Sequence, residues 1–339
     1  MEKLRLGRTG LTVSRTAFGV LPLQRTPQQA AVGILRHAFD GGIDFFDTAR
    51  GYSDSEEKIG LALSGVRKEV VLATKSTAAD RAALVEHCET SLRMLRTDYI
   101  DVYQLHNPSF VPQPGGADGL YDGMVELQRQ GKIRHIGITC HRLANAVEAV
   151  NSGLYATVQF PLSYLSSDED LALGALCAQR DVGLIAMKAL CGGLITNAAA
   201  AFAFLRGYGN VLPIWGIQHQ HELEEFLRLE TQPPALDETL QAVIQADRND
   251  LAGAFCRGCG YCLPCPADIP IPMAARMSLL LRRAPWQQFV TPQWQAQMAR
   301  VRQCVDCGHC RAHCPYGLDT PELLRSMLED YGQFLADHS

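Results

Sequence analysis

The segment FFDTARGYSDSEEKIG, residues 45–60, begins as a short apolar run, ends that run in a polar residue, and continues through a loop into a stretch of helical period. Eight units of this kind follow one another between about residues 16 and 226. Short strands that alternate with longer helices are typical of parallel strands joined by crossover helices, and eight units predict a closed (β/α)8 TIM barrel of the α/β class. The predicted strands are 16–20, 45–49, 70–75, 100–106, 133–140, 157–160, 183–188 and 211–217.

The segments on either side of the barrel predict a plug and a second domain. LRLGRTGLTVS, residues 4–14, resembles a hairpin that turns at Thr9-Gly10 and covers the N-terminal end of the barrel. After the last predicted strand and its helix the alternation stops, and a polar helical stretch leads into a cysteine-rich segment. We expect a barrel over residues 1–232, a helical linker over 233–252 and a mostly α-helical, cysteine-rich domain over 253–339.

Composition and charge restrict the classes of protein that the chain can belong to. The 339 residues are 47% hydrophobic and 20% charged, which fits a soluble globular protein and excludes a disordered or membrane protein. A net charge of -5 does not supply the basic surface that nucleic acids or anionic membranes bind. The N-terminal stretch lacks the continuous apolar run of a secretion signal, so we expect a cytoplasmic protein.

The chain has 12 cysteines, which are not expected to form disulfides in a reducing compartment. Eight of them lie in two tight runs near the C-terminus, which is the spacing of metal sites. The other four are dispersed and are predicted to be buried thiols without a chemical role: Cys88, Cys140, Cys177 and Cys191.

Polar residues interrupt the apolar strands at their C-terminal ends. Asp47, Lys75 and His106 end three successive strands, and Tyr52 follows the first of them. In a barrel of this type all strand C-termini open onto one face, where active sites are built. A phenol beside an ammonium group is predicted to have a lowered pKa and to donate a proton to a carbonyl oxygen. Asp47 would hold Lys75 in place, and His106 would donate a hydrogen bond to the same substrate oxygen.

These residues also carry a family resemblance. The segments FFDTARGYSDSEEKIG (45–60), VVLATKS (70–76), DYIDVYQLHN (98–107) and GKIRHIGIT (131–139) resemble the aldo-keto reductases, over roughly residues 3–227. The resemblance implies that Tyr52 is the proton donor, with Lys75 and Asp47 as its activators. It implies that His106 orients the substrate. It also implies a carbonyl or alcohol substrate and a bound nicotinamide nucleotide, without a Rossmann glycine motif.

The same resemblance implies positions for the nicotinamide nucleotide. It places Thr139 and Gln159 where the family contacts the carboxamide, and Met187 where an aromatic side chain usually stacks on the ring. In the last barrel loop it places Gly216 and Glu222 at the positions of the basic residues that hold the adenosine 2′-phosphate. Neither can pair with a phosphate, and Glu222 would repel one, so the sequence favours NADH over NADPH. Two histidines in that loop keep NADPH as the alternative.

The two cysteine runs have the spacing of iron-sulfur sites. The first is CRGCGYCLPCP, residues 256–266, and the second is CVDCGHCRAHCP, residues 304–315. Three cysteines at two-residue gaps can bind three corners of a [4Fe-4S] cube, and in two-cluster ferredoxins the cysteine before proline binds the other cluster. By that logic one cluster takes Cys256, Cys259, Cys262 and Cys314, and the other takes Cys304, Cys307, Cys310 and Cys265.

Two alternatives to this pair of clusters stay open. The first run has two residues, not three, before its last cysteine, so Cys265 is the least certain ligand and a single cluster is an alternative. Four-cysteine zinc sites also use CxxC spacing, although a Cys-Pro after each triplet favours iron-sulfur. Between the runs, residues 273–283 and 292–303 have helical period and resemble helical ferredoxin domains. The whole chain resembles the group of aldo-keto reductases that carries such a domain.

The combination leaves three hypotheses for function, because hydride transfer moves two electrons and a [4Fe-4S] cluster moves one. The favoured hypothesis is nicotinamide-linked carbonyl chemistry in the barrel, with clusters that stabilise the chain, sense redox state or exchange electrons with a partner protein. In the second, the clusters reduce the substrate in single-electron steps without nicotinamide. The third is a ferredoxin-type electron-transfer protein on an inactive barrel, against which the intact catalytic set argues. Loops after His106 and Gln159 would border the substrate, with Phe110, Tyr121 and Tyr164 as candidate contacts.

Overall fold

The computed structural model describes residues 1–251, 255–283 and 286–338. Two compact units are distinguished by their internal contacts. They are Met1–Ala189 with Asn197–Ile244, and Leu190–Thr196 with Gln245–Ser339. The division falls inside the helix at Glu238–Asp250, within the predicted linker. The predicted start of the cysteine-rich domain, at residues 252–253, lies outside the described residues.

The first unit contains a closed barrel of eight parallel strands, which confirms the predicted fold. The strands of this unit are β1 (Lys3–Arg5), β2 (Thr12–Ser14), β3 (Ala17–Gly19), β4 (Phe45–Asp47), β5 (Val71–Ser76), β6 (Ile100–His106), β7 (Ile133–Thr139), β8 (Thr157–Pro161), β9 (Gly183–Met187) and β10 (Val211–Gly216). Strands β3 to β10 follow one another around the barrel, and β10 closes onto β3. Each predicted barrel strand agrees with the structure to within two residues at either end.

The first two strands form an antiparallel hairpin that contributes to the interior of the barrel. Leu4 of β1 lies opposite Val13 of β2. Both side chains, together with Leu6, are buried in a cluster with the barrel residues Ala17, Phe45, Ala73, Val102, Ile185, Leu212 and Ile214. Since Ala17 and Phe45 begin their strands, the hairpin packs at the N-terminal end of the barrel, as the sequence predicts.

Helices follow the strands, and several begin at a side chain that caps their first turn. The helices are α1 (Gln28–Asp40), α2 (Ser55–Leu63), α3 (Arg81–Leu95), α4 (Leu120–Arg129), α5 (Leu143–Ser152), α6 (Asp168–Gln179), α7 (Ala198–Arg206), α8 (Gln220–Thr231) and α9 (Glu238–Asp250). The carboxylate of Asp80 accepts from the backbone of Ala83 at 2.9 Å before α3. Ser167 and Asp170 form a capping box at the start of α6. Such caps satisfy backbone donors that the first turn of a helix leaves unpaired.

The second unit is helical around a small apolar core. Its helices are α10 (Ile271–Ala274), α11 (Met277–Arg283), α12 (Pro292–Ala299), α13 (His309–Ala312) and α14 (Thr320–Asp337). Arg282 of α11 makes two hydrogen bonds to the carboxylate of Asp330 on α14, at 2.7 and 2.6 Å. Met277, Leu281 and Leu324 are buried between these elements. No helix in the described ranges is both long and apolar enough to cross a membrane.

Candidate functional site

Four polar side chains that the sequence places at strand ends come together at the C-terminal mouth of the barrel. Asp47 ends β4, Lys75 lies in β5 and His106 ends β6, and these strands are neighbours. Lys75 Nζ donates to Asp47 Oδ1 at 2.6 Å and lies 5.3 Å from the centroid of the Tyr52 ring. The Tyr52 and His106 ring centroids are 5.8 Å apart, with the rings nearly perpendicular. The arrangement therefore places a carboxylate, an ammonium, a phenol and an imidazole side by side.

Two glutamines extend this group across the inside of the barrel. Gln104 Nε2 donates to Gln159 Oε1 at 2.9 Å, and each amide nitrogen lies 3.4 Å from a carboxylate oxygen of Asp47. Gly137 lies opposite Gln104 in the sheet, and a Cβ there would come within 2.9 Å of the Gln104 side chain. Gln104 is a site residue that sequence reasoning misses. Its place two residues before His106, hence on the same face of β6, is the signal that identifies it.

Burial opposes the charge on both members of the Asp47–Lys75 ion pair. The Lys75 side chain is 1% exposed and the Asp47 side chain 3%. Burial raises the pKa of Asp47 and lowers that of Lys75, and the attraction between the two groups opposes both shifts. Lys75 Nζ also donates to the carbonyl oxygen of Thr48 at 2.6 Å. Loss of either charge would leave the other buried without its partner, which is strongly destabilising.

The phenol of Tyr52 is a weaker acid than the sequence predicts. Burial raises the pKa of Tyr52 above its usual value, and the carboxylate of Asp47 raises it further. The prediction of a lowered pKa is therefore wrong for this arrangement, because burial of the phenol disfavours the phenolate more than the nearby ammonium group favours it. A phenol with a raised pKa keeps its proton at neutral pH, and a proton donor must do so.

His106 is a neutral imidazole in this site. Burial lowers its pKa to about 3, with contributions from the charges of Lys75 and Lys188. Its Nδ1 is buried without a hydrogen-bond partner among the described residues. A neutral imidazole carries one N–H donor and one acceptor nitrogen, so His106 can donate to a ligand oxygen. Lys188 directly follows β9, and this strand-end position is the signal by which sequence reasoning could have found it.

The loop that carries Tyr52 is tied to strand β5 by its own backbone and by Glu56. The backbone N–H of Arg50 donates to the carbonyl of Lys75 at 2.9 Å. Glu56, 1% exposed at the start of α2, accepts from Thr74 Oγ1 at 2.7 Å and from the Arg50 guanidinium. Because Thr74 precedes Lys75 in β5, one carboxylate fixes both the loop and the strand. Glu56 is a second site residue that sequence reasoning misses, although it lies within the segment that defines the fold.

The residues implied to hold the nicotinamide lie at the ends of β7, β8 and β9. Thr139 Oγ1 is buried, as is Gln104 Oε1, and neither has a hydrogen-bond partner among the described residues. Gln159 already bonds to Gln104. Met187 is half-buried and packs against the apolar interior of the barrel. Buried polar groups without partners are rare unless a ligand or water satisfies them, so the donors and acceptors here fit a carboxamide.

Glu222 closes the N-terminus of α8. Its Oε2 accepts from the backbone N–H groups of Gln218 and His219, at 2.7 and 2.9 Å. Gly216, at the end of β10, is exposed and adds no side chain to the loop. Backbone N–H groups at a helix N-terminus are the usual donors to a phosphate, and here two of them already bind a carboxylate. This end of the site is therefore poorly suited to an additional phosphate.

The three aromatic residues proposed as substrate contacts differ in their surroundings. Tyr121 donates from its hydroxyl to the carbonyl of Leu154 at 3.2 Å. The buried ring of Tyr164 packs edge-on against Phe204, with centroids 6.2 Å apart. Phe110 is 48% exposed. Tyr121 and Tyr164 therefore pack within the fold, and Phe110 is the member of the three that is open to contact.

The cysteine runs line two neighbouring cavities in the second unit. The cysteines that line one cavity are Cys256, Cys259, Cys262 and Cys314. Those that line the other are Cys262, Cys265, Cys304, Cys307 and Cys310. Cys262 and Ile271 line both cavities, which therefore share a wall. We refer to them as the first and second cavity.

The donors in each cavity fit an iron-sulfur cluster. Each cavity contains the four cysteines that the Cys-Pro spacing assigns to one cluster, and the remaining wall is largely apolar. A cube binds each cysteine through a different iron atom, so its ligands surround a space and do not meet at one point. Among the described residues, no group of three His, Cys, Asp or Glu side chains is arranged to hold a single metal ion.

The four dispersed cysteines are all buried. Burial raises the pKa of Cys88, Cys140 and Cys177 to about 12, so these thiols stay protonated. A protonated buried thiol is a poor nucleophile and a poor metal ligand. The predicted burial of these cysteines is confirmed, and their lack of a chemical role stays a prediction.

Two family models match the chain. The model described as the aldo/keto reductase family matches residues 15–203, and the model described as a 4Fe-4S dicluster domain matches residues 255–319. The first match includes β3 to β9, and the second includes both cysteine runs.

Curated relatives resemble the barrel part of the chain. The aldo-keto reductase YhdN of Bacillus subtilis is 31% identical over 217 residues, which cover 58% of this chain and 64% of the relative. The L-galactose dehydrogenase of Arabidopsis thaliana is 30% identical over 218 residues, covering 58% of this chain and 68% of the relative. The chain thus spans about two thirds of the length of these relatives.

Solved structures show the same fold. The holo form of the aldo-keto reductase AKR11C1 from Bacillus halodurans aligns with a TM-score of 0.64 at 23% identity, covering 73% of this chain and 96% of that chain. An aldo-keto reductase from Klebsiella pneumoniae in complex with NADPH aligns with a TM-score of 0.60 at 24% identity, covering 72% and 94%.

Proposed function

Since the chain belongs to the aldo/keto reductase family of oxidoreductases and carries a 4Fe-4S domain, we propose that its barrel interconverts a small carbonyl compound and its alcohol with a nicotinamide nucleotide. The observation that supports this most is the meeting of Tyr52, Lys75, Asp47 and His106 at one mouth of the barrel. These side chains can deliver and retrieve a proton at a substrate oxygen, which is the step that the protein must supply.

In the reducing direction, Tyr52 donates its proton to the carbonyl oxygen, and neutral His106 donates a hydrogen bond to the same atom. The nicotinamide, when bound, supplies the hydride that the carbonyl carbon accepts. Lys75 stabilises the phenolate that remains on Tyr52, because a cation in a water-poor site acts strongly on a developing negative charge. Asp47 holds Lys75 at the required place through the 2.6 Å hydrogen bond. In the oxidising direction the same groups take the proton back.

For the nucleotide itself, we propose that Thr139, Gln159 and Met187 hold the nicotinamide end. The buried Thr139 hydroxyl, with no partner among the described residues, supports a ligand there. The carboxylate of Glu222 at the N-terminus of α8 supports NADH over NADPH, because a phosphate beside it would be repelled. Steady-state kinetics with both nucleotides tests this. A KM for NADPH at or below that for NADH would contradict the assignment.

The catalytic proposal is tested by removing one hydroxyl. Tyr52→Phe should reduce kcat/KM for aldehydes and ketones by about 10²- to 10⁴-fold, the usual contribution of a general acid. Tyr121→Phe is the matched control, since it removes a phenol that bonds to the Leu154 carbonyl within the fold. Iron content should be unchanged in both variants. Equal activity of Tyr52→Phe and the wild type would exclude Tyr52 as the proton donor.

We propose that the second unit binds two [4Fe-4S] clusters with crossed ligation. The first cavity takes Cys314 from the second run, and the second cavity takes Cys265 from the first. Anoxic purification should then give about eight iron and eight sulfide per chain. Cys265→Ala should remove one cluster, and Cys177→Ala, a buried cysteine outside the runs, should remove none. An unchanged iron content in Cys265→Ala would exclude the crossed arrangement, and zinc in place of iron would exclude clusters altogether.

A second candidate function is single-electron reduction of the substrate by the clusters alone. The observation that favours it is the closed helix terminus at Glu222, which offers the phosphate part of a nucleotide few donors. Under this candidate, turnover requires dithionite or a reduced ferredoxin and does not respond to NADH or NADPH. Turnover with a nicotinamide nucleotide as the sole reductant would exclude it.

A further inference from the structure

A buried arginine packs against the loop that carries the first two cysteines of the first cavity. Arg276, in the turn between α10 and α11, is only 7% exposed. Its Nε donates to the Pro272 carbonyl at 2.8 Å and its Nη1 to the Gly192 carbonyl at 2.9 Å. These bonds hold the guanidinium in one orientation inside the second unit. Because arginine stays protonated in proteins, the site contains a fixed positive charge.

The guanidinium of Arg276 packs against Gly258, in the loop between Cys256 and Cys259. A Cβ at Gly258 would lie 2.9 Å from the Arg276 Cζ, and Gly258 has a φ of +63°, which disfavours any other residue. The backbone N–H of Gly258 also donates to Cys256 Sγ at 3.3 Å. Gly258 thus lets a guanidinium and an N–H group approach the same end of the first cavity.

The second cavity has different surroundings. Cys307, one of its lining cysteines, is exposed, and the neighbouring Val305 is 67% exposed. Arg311, which directly follows Cys310, is exposed, and its guanidinium bonds to the carboxylate of Asp319. Water can therefore approach the second cavity and stabilise added charge there. The cysteines that line the first cavity are half-buried or buried, so water approaches them less. There the nearby positive charge of Arg276 can stabilise an added negative charge in place of water.

Reduction of a [4Fe-4S] cluster adds one negative charge, and burial makes that addition less favourable. A nearby positive charge and N–H groups directed at the ligand sulfurs oppose the effect and raise the reduction potential. Building on the two-cluster arrangement proposed above, we propose that Arg276 raises the reduction potential of the first cluster and so offsets the burial of its site.

The test is an anoxic redox titration of the full chain with dithionite, followed by electron paramagnetic resonance. The step that disappears in Cys307→Ala belongs to the second cluster. In Arg276→Gln the potential of the first cluster should fall and that of the second should not change. Arg276→Lys, which keeps the charge, should shift the first potential much less. Arg257→Gln, at a less buried arginine that lines the first cavity, should give a smaller fall than Arg276→Gln, because water screens its charge more.

Arg282→Gln is the matched control, since Arg282 lies six residues further on and bonds to Asp330 at the surface. It should change neither potential. The inference is overturned if Arg276→Gln retains full iron and both potentials stay at wild-type values. It is also overturned if Arg276→Gln and Arg276→Lys both lose the first cluster, because the guanidinium then builds the site and does not tune it. A wild-type protein with iron for one cluster or none would instead contradict the two-cluster proposal.

Discussion

The mouth of the barrel and the cysteine cavities are built in opposite ways. At the mouth, the charged groups are paired with each other within the protein, as in Lys75 with Asp47 and Glu56 with Arg50. In the cavities, the groups that carry the proposed chemistry are thiols, which repel one another once deprotonated and need a cluster to hold them together. Folding alone pairs the charges of the first site, whereas the thiols of the second need the proposed clusters. The two units should therefore respond differently to the same treatments.

Removal of iron should produce the largest difference between the two regions. Chelation under anoxic conditions should make residues 245–338 sensitive to protease and reduce the helical signal, because cluster binding stabilises the folded state of a small unit. The barrel should keep its own thermal transition. Calorimetry and mass mapping of the proteolytic fragments would measure both. Joint unfolding of the two units, or full protease resistance of the iron-free protein, would contradict the comparison.

The paired charges at the barrel mouth should give the next largest effect. Asp47→Asn or Lys75→Met alone should destabilise the barrel by about 3–5 kcal/mol, since each leaves a buried charge without its partner. The double variant should recover much of that stability and remain inactive. Urea unfolding, followed by tryptophan fluorescence, measures the stability of each variant. Steady-state rates measure the activity of the double variant. Additive destabilisation in the double variant would show that the two groups do not stabilise each other.

Substitution of Glu56, which holds the loop that carries Tyr52, should have a smaller effect. Glu56→Gln weakens the bonds to Arg50 and Thr74, and hydrogen bonds to a charged group contribute about 1.5–3 kcal/mol. We expect kcat to fall by about tenfold or more, with the KM for the nucleotide unchanged. Glu57→Gln, at the exposed neighbouring position, is the control and should have wild-type kinetics. A loss confined to KM would show that Glu56 does not position Tyr52.

A pH dependence of stability is expected from His106. Its pKa is about 3 in the folded chain against an ordinary 6.5, so between these values the unfolded chain binds a proton that the folded chain does not. The contribution to stability is fully present above pH 6.5 and is lost as the pH falls towards 3. His106→Gln should lose less stability than the wild type between pH 6 and 4 in urea titrations. Identical slopes would indicate a solvated His106.

Strand order and the positions of the polar residues could be predicted because both are encoded locally. Alternating apolar runs mark strands, and a polar residue at the end of such a run, as at Lys75, predicts a place at the barrel mouth. Cysteine spacing is equally local, and it predicts which cysteines share a cavity. In both cases a short stretch of sequence contains the whole signal.

The remaining features depend on contacts between distant segments. The raised pKa of Tyr52 follows mainly from burial, which the sequence does not show, and further from the charge of Asp47. The capping role of Glu222 and the packing of Tyr164 depend on partners that only the fold supplies. Arg276 bonds to Gly192, a residue 84 positions earlier in the chain. The sequence therefore predicts which polar groups meet at the barrel mouth and misses the residues that surround them.

The most direct test of the account is the fate of a labelled hydrogen. The full chain, with its iron content verified, is given a carbonyl substrate and NADH carrying deuterium at the reactive carbon of its nicotinamide ring, in ordinary water. If the barrel transfers a hydride as proposed, the deuterium appears on the product carbon, and Tyr52→Phe slows this transfer by about 10²- to 10⁴-fold. A product that forms only with a one-electron donor, and takes its new hydrogen from water, would contradict it.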